Sequence, residues 1–429
     1  MRVSPLPDLQ MEGLLVAMRR SLLKHLDELE ESPATAYFLS TLSLHCFTNE
    51  YVYFESDKES QQLGDLELKL RDTLAQAKEP ELLEVLCFAT YRPLHCQDWC
   101  EKLVVLDQLA EVKERLIEQP LAEIKIKKEI PVLGAISNEV SLKVREQYEE
   151  NPYPRWVKLA VPIKTKSVAE VCDEVGLRLQ SEIIKKASAP EILVAGCGTG
   201  QHAIEIATRF SDCQVLAIDL SLVSLSYAQR KTKELGVYNL EYLQADILDL
   251  SKLDREFDII DSSGVLHHMS DPMMGWRVLV DLLKPGGLMK IGLYSELARG
   301  HITKVRNEIG LLGLGTSEDE IRDFRQSLKE SKNLDHQSLS VFSDFFSLSM
   351  LRDLIFHVQE HCFSLLQIQT YLDELGLKFC GLEDRNNVST FRKFHGDGSD
   401  IYDLAMWNQF EESNPDAFIG MYQFWCQKL

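Results

Sequence analysis

The sequence predicts an α/β protein: an open, doubly wound sheet over residues 167–429, preceded by an all-helical domain over 1–145. Three observations carry this reading. The run EILVAGCGTG at 191–200 takes a short apolar strand straight into a turn holding Gly196, Gly198 and Gly200. Such a turn lets a ligand lie against the backbone, where a Cβ would collide with it or bar the φ the turn requires. From Ser167 onward, short apolar runs alternate with helical patterns, the rhythm of parallel strands joined by right-handed crossovers. Before residue 145, apolar side chains recur at helical spacing throughout.

The elements follow in order. Leu14, Leu15, Met18, Leu22, Leu23 and Leu26 mark a first helix, and 34–53, 65–77, 80–90 and 98–118 repeat the pattern. LHCFTNEY at 44–51 and VLCFATY at 85–91 echo one another; stacked helical hairpins and an unrepeated bundle both accommodate two copies. Residues 146–166 form a linker rich in proline and aromatics. Pro152 and Pro154 force an extended chain there, and Tyr148, Tyr153, Arg155 and Trp156 are candidate contacts to a substrate. A helix over 167–187 opens the α/β part. Strands follow at 192–195, 214–219, 240–244, 257–262 and 288–293, with helices at 201–209, 221–235 and 272–284 and a Pro285-Gly286-Gly287 turn before the fifth strand. Polar helical sequence at 296–362 interrupts the alternation. Ser364 with Gln367 forms a capping box and Gly376 ends that helix. Two closing strands, 377–382 and 418–426, are joined by a polar loop.

Composition narrows the class. The 429 residues have a net charge of −21. Residues 1–145 carry 17 basic and 25 acidic side chains, and the remainder 29 and 42. Neither part is basic, so nucleic acid is not the expected partner. The ten cysteines follow no regular framework, as in a reduced compartment. No apolar run is long enough to span a membrane and the N-terminus lacks a signal-peptide core, so the expected location is the cytoplasm. Cys96 and Cys100 beside His95 lack a second ligand pair, and no zinc is expected there. His357-Val-Gln-Glu-His361 spells the H-x-x-E-H motif of a peptidase family, with both histidines expected on one helix face. An α/β sheet of this kind supplies no further zinc ligand, so no metal is expected; a substrate-facing pair or a solvated polar face are the alternatives.

The chemistry gathers at strand ends. After the glycine turn comes Asp219, ending the second strand with Leu220 beside it. A carboxylate there can accept hydrogen bonds from ribose hydroxyls. Asp246 ends the third strand and can accept from an adenine amino group, while Ile247 covers the ring. The fourth strand runs into IIDSSGVLHHMSDP at 259–272, which places Ser262, His267 and His268 at the edge where ligands bind in such sheets. Either histidine can take a proton near neutral pH.

AGCGTGQ, AIDLS, LQADI, GVLHHMSDP and LLKPGGLMKIGLYS together resemble the successive motifs of class I S-adenosylmethionine-dependent methyltransferases, over about 190–295 and 363–428. QYEENPYPRW, NEYVYF and FHVQEH are similar to a bacterial subgroup in which a TPR-like helical module precedes the methyltransferase domain. The resemblance implies a Rossmann-like seven-stranded sheet with a reversed hairpin at its C-terminal edge and S-adenosylmethionine as cofactor. It implies that Gly196, Cys197, Gly198 and Gly200 hold the methionine portion, Cys197 through its backbone. Asp219 with Leu220 would take the ribose, Asp246 with Ile247 the adenine, and Ser262 would line the site near the sulfonium. Arg155 would meet the cofactor carboxylate or an acidic substrate. His267 and His268 are the candidate catalytic bases, and Tyr148, Tyr153, Arg155, Trp156, His357 and His361 the candidate substrate contacts. The GxGxG spacing, and the absence of a basic residue after Asp219, argue against a dinucleotide. The expected activity is methyl transfer to a small-molecule or protein acceptor, with 1–145 available to a protein partner. The alternative is a cofactor-binding scaffold without catalysis.

Overall fold

A computed structural model describes residues 1–383 and 385–429. Its sheet has seven strands: β1 (Glu191–Ala195), β2 (Gln214–Asp219), β3 (Leu240–Gln244), β4 (Phe257–Ser263), β5 (Leu283–Leu293), β6 (Leu377–Leu382) and β7 (Tyr422–Lys428). Their order is β3-β2-β1-β4-β5-β7-β6. The first five are mutually parallel, and β7 runs antiparallel to both β5 and β6. Strand order reverses between β1 and β4, so a crevice opens at their carboxyl ends, the usual ligand position in open α/β sheets. β1 is buried from Ile192 onward, as expected of a strand covered on both faces. One face packs Ile192, Val194, Val215 and Ala217 against Ala203, Ile206 and Ala207 of the helix Gln201–Arg209. The other packs Leu193, Ile260, Met289 and Ile291 against Trp276, Leu279 and Ile368. This is the Rossmann-like seven-stranded sheet that the motifs imply.

Several elements around the sheet differ from the sequence expectation. The helix expected over 167–187 is two pieces: Val168–Val175, stopped at Gly176 with φ 68°, and a 3₁₀ turn at Glu182–Lys186. β5 begins at Leu283 and takes in Pro285-Gly286-Gly287, with Gly286 at φ 77° and a register shift against β4 between Phe257 and Ile259; the proline and glycines bend an edge of the pairing rather than end it. The last strand is Tyr422–Lys428, because Pro415–Phe418 is a 3₁₀ turn. The polar loop before it holds two helices, Val388–His395 and Leu404–Ser413; Asp403 caps the second by accepting from the amides of Ala405 and Met406. The capping box at Ser364 and Gln367 forms as read.

The chain gathers into two compact units whose borders depart from the expected domains. The first unit comprises Met1–Lys125, Tyr153–Leu159 and Lys304–Phe356; the second comprises Ile126–Pro152, Ala160–Thr303 and His357–Leu429. Most of the expected insertion, 296–362, therefore belongs with the N-terminal helices, and much of 126–152 with the sheet. The reasons are specific contacts. In the first unit, Arg325 of the helix Glu318–Glu330 makes two hydrogen bonds, 2.8 and 2.6 Å, to Glu12 of the helix Leu9–Lys24, with both side chains buried. Burial alone would raise the Glu12 carboxyl; Arg325 and Lys329 hold it below its ordinary value. Glu50 likewise accepts from the Ser347 hydroxyl and the Ser349 amide at 2.6 and 2.9 Å. The helices Pro33–Thr48 and Leu82–Ala89, which carry the two Cys-Phe copies, pack on one another, with Cys46 and Cys87 fully buried. The expected helix at 98–118 is broken by 3₁₀ turns at Cys100–Lys102 and Val104–Gln108. In the second unit, Val132 bridges Gln244 at the end of β3. No helix among the described residues is long and apolar enough to cross a membrane, and the cysteines are free thiols.

Candidate functional site

The glycine turn after β1 is a backbone device. Gly196, Gly198 and Gly200 have φ of 83°, 51° and 83°, values that an L side chain rarely adopts. A Cβ on Gly196 would also lie 2.3 Å from a Val265 methyl, and one on Gly200 would lie 2.5 Å from the Ala228 Cβ. The turn is tied to β2 twice: the amides of Gly196 and Cys197 both donate to the Ile218 carbonyl at 2.9 Å. Cys197 is buried, and burial pushes its thiol well above the ordinary range, so the residue offers backbone rather than a reactive sulfur.

Asp219 closes the turn from the β2 side. Its Oδ2 accepts from the Gly198 amide at 2.8 Å and its Oδ1 from the Ser221 amide at 2.9 Å. Each oxygen keeps a lone pair for a further donor. Burial pushes the carboxyl up to about 6 against the pull of these amides, and the neighbouring Glu149 charge adds to the rise. Leu220 follows, its carbonyl held by the Gln244 side chain at 2.8 Å. Asp246 is buried and caps the 3₁₀ turn Ile247–Lys252 by accepting from the Leu248 amide at 3.0 Å. Ile247 beside it is buried. Ser262 near the end of β4 is fully buried, and its hydroxyl has no partner among the described residues.

Beyond β4 the histidines gather. His267 and His268 are both buried. His268 Nδ1 lies 2.7 Å from the Gln359 carbonyl and so carries the proton. With His268 neutral, its Nε2 accepts from His267 Nε2 at 3.1 Å. His267 Nδ1 is then a bare, buried acceptor without a partner among the described residues. The ring of His267 stacks on Tyr294, centroids 4.0 Å apart, and Arg299 lies over the far face of Tyr294 at 3.5 Å. Burial, reinforced by His268, Arg299, His357 and His361, pushes His267 well below the usual imidazole range. His357 stacks on His268 at 3.6 Å and lies 3.1 Å from the Tyr148 hydroxyl. His357 Nδ1 accepts from the Gln359 amide at 3.1 Å, which leaves the proton on Nε2 to face Tyr148.

The expected helix over His357 and His361 is absent. The helix Leu348–Ile355 has ended, and the chain from 357 to 362 is irregular. Glu360 is committed to Arg299 through two bonds of 2.9 and 2.7 Å, and His361 donates to the Met269 carbonyl at 3.1 Å. The motif ties the 357–361 segment to the loop after β4 by backbone as well, since the His361 amide donates to the His267 carbonyl at 2.8 Å.

The six candidate substrate contacts divide. Tyr148, His357 and His361 lie in the second unit with His267 and His268. Tyr153, Arg155 and Trp156 lie in the first, where Arg155 sits 4.3 Å above the Phe47 ring and Trp156 is buried. Sequence reasoning missed Glu149, whose carboxylate accepts from the Ser221 hydroxyl and the Val223 amide, both at 3.2 Å, and so caps the helix that follows Asp219. It missed Tyr294 and Val265 too. Only the position of Tyr294 directly after a strand could have flagged it.

Residues 192–287 match the family model described as a methyltransferase domain. Among curated relatives, the chain is 29% identical over 243 residues to an uncharacterised protein of Synechococcus sp., covering 52% of this chain and 56% of the relative. It is 31% identical to a malonyl-[acyl-carrier protein] O-methyltransferase of Paenibacillus sp., covering 24% and 38%. The match to a ubiquinone biosynthesis O-methyltransferase of Acinetobacter baylyi is 32% identical, covering 23% and 40%. The chain thus spans about half of the first relative's length and about two fifths of the other two. Among solved structures, PKMT2 from Rickettsia typhi in complex with AdoHcy aligns with a TM-score of 0.44 at 16% identity, covering 62% of this chain and 54% of that one.

Proposed function

We propose that this chain is a methyltransferase that uses S-adenosylmethionine and delivers the methyl group to a hydroxyl or amine of a small-molecule or protein acceptor. The carrying observation is the glycine turn locked onto Asp219 at the carboxyl edge of β1 and β2, inside the segment that matches a methyltransferase domain. S-adenosylmethionine supplies an electrophilic sulfonium methyl when bound.

The residues fit that group. At Gly196, Gly198 and Gly200 the turn presents backbone without Cβ atoms, and Asp219 keeps lone pairs for ribose hydroxyls. Asp246 and Ile247 stand at the next strand end to take the adenine. The Ser262 hydroxyl is buried and unpartnered, a polar atom for which a bound partner is the natural complement.

The chain's own task is to hold the nucleophile on the transfer axis and exclude water. His267 supports the choice of nucleophile. Its neutral ring offers Nδ1 as an acceptor, which suits an O–H or N–H and gives nothing to a carboxylate oxygen. Among the relatives, one named enzyme is an N-methyltransferase acting on (S)-coclaurine and others are O-methyltransferases, so kinship leaves the acceptor atom open. Residues 1–125 offer helical surface for a protein partner, in keeping with a protein acceptor.

Calorimetry with S-adenosylmethionine tests the reading, followed by transfer of a labelled methyl group into a fractionated lysate. One equivalent is expected to bind, with binding abolished in Asp219→Ala and label appearing in an acceptor fraction. Failure to bind overturns the proposal. Binding without transfer to any acceptor favours a cofactor-binding scaffold.

A further inference from the structure

The second unit holds a cavity of about 290 Å³ between the helix Gln201–Arg209 and the β4–β5–β7 part of the sheet. Asp261 is paired in register with Lys290, and Lys290 with Trp425. These three side chains form one row across the sheet, on the face opposite Ser262, because neighbouring strand residues point to opposite sides.

The charges in the cavity are unevenly satisfied. At one end Arg209 donates to one oxygen of Glu383 at 2.9 Å, and the other oxygen accepts from the Trp425 ring nitrogen, so this carboxylate is satisfied, while Arg209 is partly open to solvent. At the other end Asp261 is 1% exposed and Lys290 6%. Lys290 Nζ makes a single hydrogen bond, to His202 Nε2 at 3.2 Å. That bond needs a neutral His202, and burial together with the Lys290 charge does lower its pKa, against the pull of Asp261. Asp261 Oδ2 accepts no hydrogen bond; its nearest cationic group is Lys290 at 3.6 Å, and the neutral His202 ring nitrogen lies 3.4 Å away. An ammonium has three donors, so Lys290 retains two. A buried carboxylate oxygen and a buried ammonium, both incomplete and side by side in one cavity, are complementary to a molecule carrying both opposite charges. Ile206 and Ile259 add an apolar wall, as small-ligand pockets have.

We infer that this cavity is a second ligand site, taking an α-amino acid with an apolar side chain: its ammonium on Asp261, its carboxylate on Lys290 and its side chain against Ile206 and Ile259. The site is separate from the cofactor site and does not rest on the proposed activity.

The test is calorimetry of the full chain with L-leucine, with and without saturating S-adenosylmethionine. Two controls are 4-methylpentanoate and 3-methylbutylamine, which are leucine without its ammonium and without its carboxylate. Saturable one-to-one binding of leucine is expected in both conditions, weakened about tenfold or more for either control, as loss of a charged hydrogen bond implies. Asp261→Asn should weaken leucine by a similar factor and leave the S-adenosylmethionine isotherm unchanged. Ala160→Trp, at the exposed rim, should obstruct the cavity without touching a buried residue, so the test survives if the buried variant fails to fold. No saturable heat at about 10 mM leucine would mean that only water fills the cavity. Equal binding of 4-methylpentanoate would overturn the role of Asp261. Competition between leucine and S-adenosylmethionine would overturn the separateness of the site.

Discussion

Replacing Gly196 with alanine adds one methyl group at a point where two independent penalties meet. The first is conformational: φ is 83°, and an L residue in that region is disfavoured by about 1–2 kcal/mol. The second is steric. The new Cβ would lie 2.3 and 2.7 Å from the two methyls of Val265 and 3.0 Å from its Cβ, and overpacking of this kind costs about 1–3 kcal/mol. Together they predict a loss of about 2–5 kcal/mol. The parts separate in a double-mutant cycle. Val265→Ala removes the colliding methyls and leaves the backbone strain, so Gly196→Ala in that background should recover the steric part as a coupling energy of about 1–3 kcal/mol. Urea unfolding of the four proteins gives the energies, and S-adenosylmethionine titration of each reports whether the turn keeps its shape. Equal destabilisation by Gly196→Ala in both backgrounds would refute the claim that Val265 confines the turn. A loss under about 1 kcal/mol in the native background would refute both terms.

Other outcomes follow from the same geometry. The Asp219 carboxyl is raised to about 6, and in the proposed function its ionised form would accept from the ribose hydroxyls. S-adenosylmethionine affinity should therefore hold above that pH and fall as pH drops through it, with Asp219→Asn binding about ten- to a hundredfold more weakly at pH 8, as for a charged hydrogen bond, and with a flat profile; calorimetry across pH checks this. His267 is pushed well below the usual imidazole range, so its ring should be neutral at neutral pH with the proton on Nε2; ¹⁵N chemical shifts of the imidazoles read this, and a midpoint at or above the ordinary imidazole value would contradict it. Arg299 and Glu360 are a buried pair with side chains 3% exposed. Glu360→Ala should destabilise by about 3–5 kcal/mol by leaving the guanidinium unpaired; a change within about 0.5 kcal/mol in urea unfolding would show that water replaces the carboxylate.

The parts of the site that were legible in the sequence are those whose chemistry is local. Gly196, Gly198 and Gly200 stand next to β1 in the chain, Asp219 ends β2 and Asp246 lies just past β3, so spacing alone aligned them at one sheet edge. The histidine cluster was legible only in its members. His357 and His361 are four apart, which suggests one helix face, but Leu348–Ile355 ends first and each histidine then answers to a tertiary neighbour: His357 to His268 and Tyr148, His361 to the Met269 carbonyl. Arg155 drew attention by its density of neighbours in the motif, yet it faces Phe47, a contact that no spacing rule reaches.

By itself the sequence determined the order of strands and helices from β1 to β5, the glycine turn and the acids that follow it, because period, turn chemistry and strand ends depend on residues close in the chain. The tertiary structure alone decided which segments share a unit, since Glu12 finds Arg325 and Glu50 finds Ser347 and Ser349 across some three hundred positions. It alone decided the states of the titratable groups. Burial pushes Asp219 up and His267 down, and burial is a property of what packs around a side chain, which the chain near that residue does not contain.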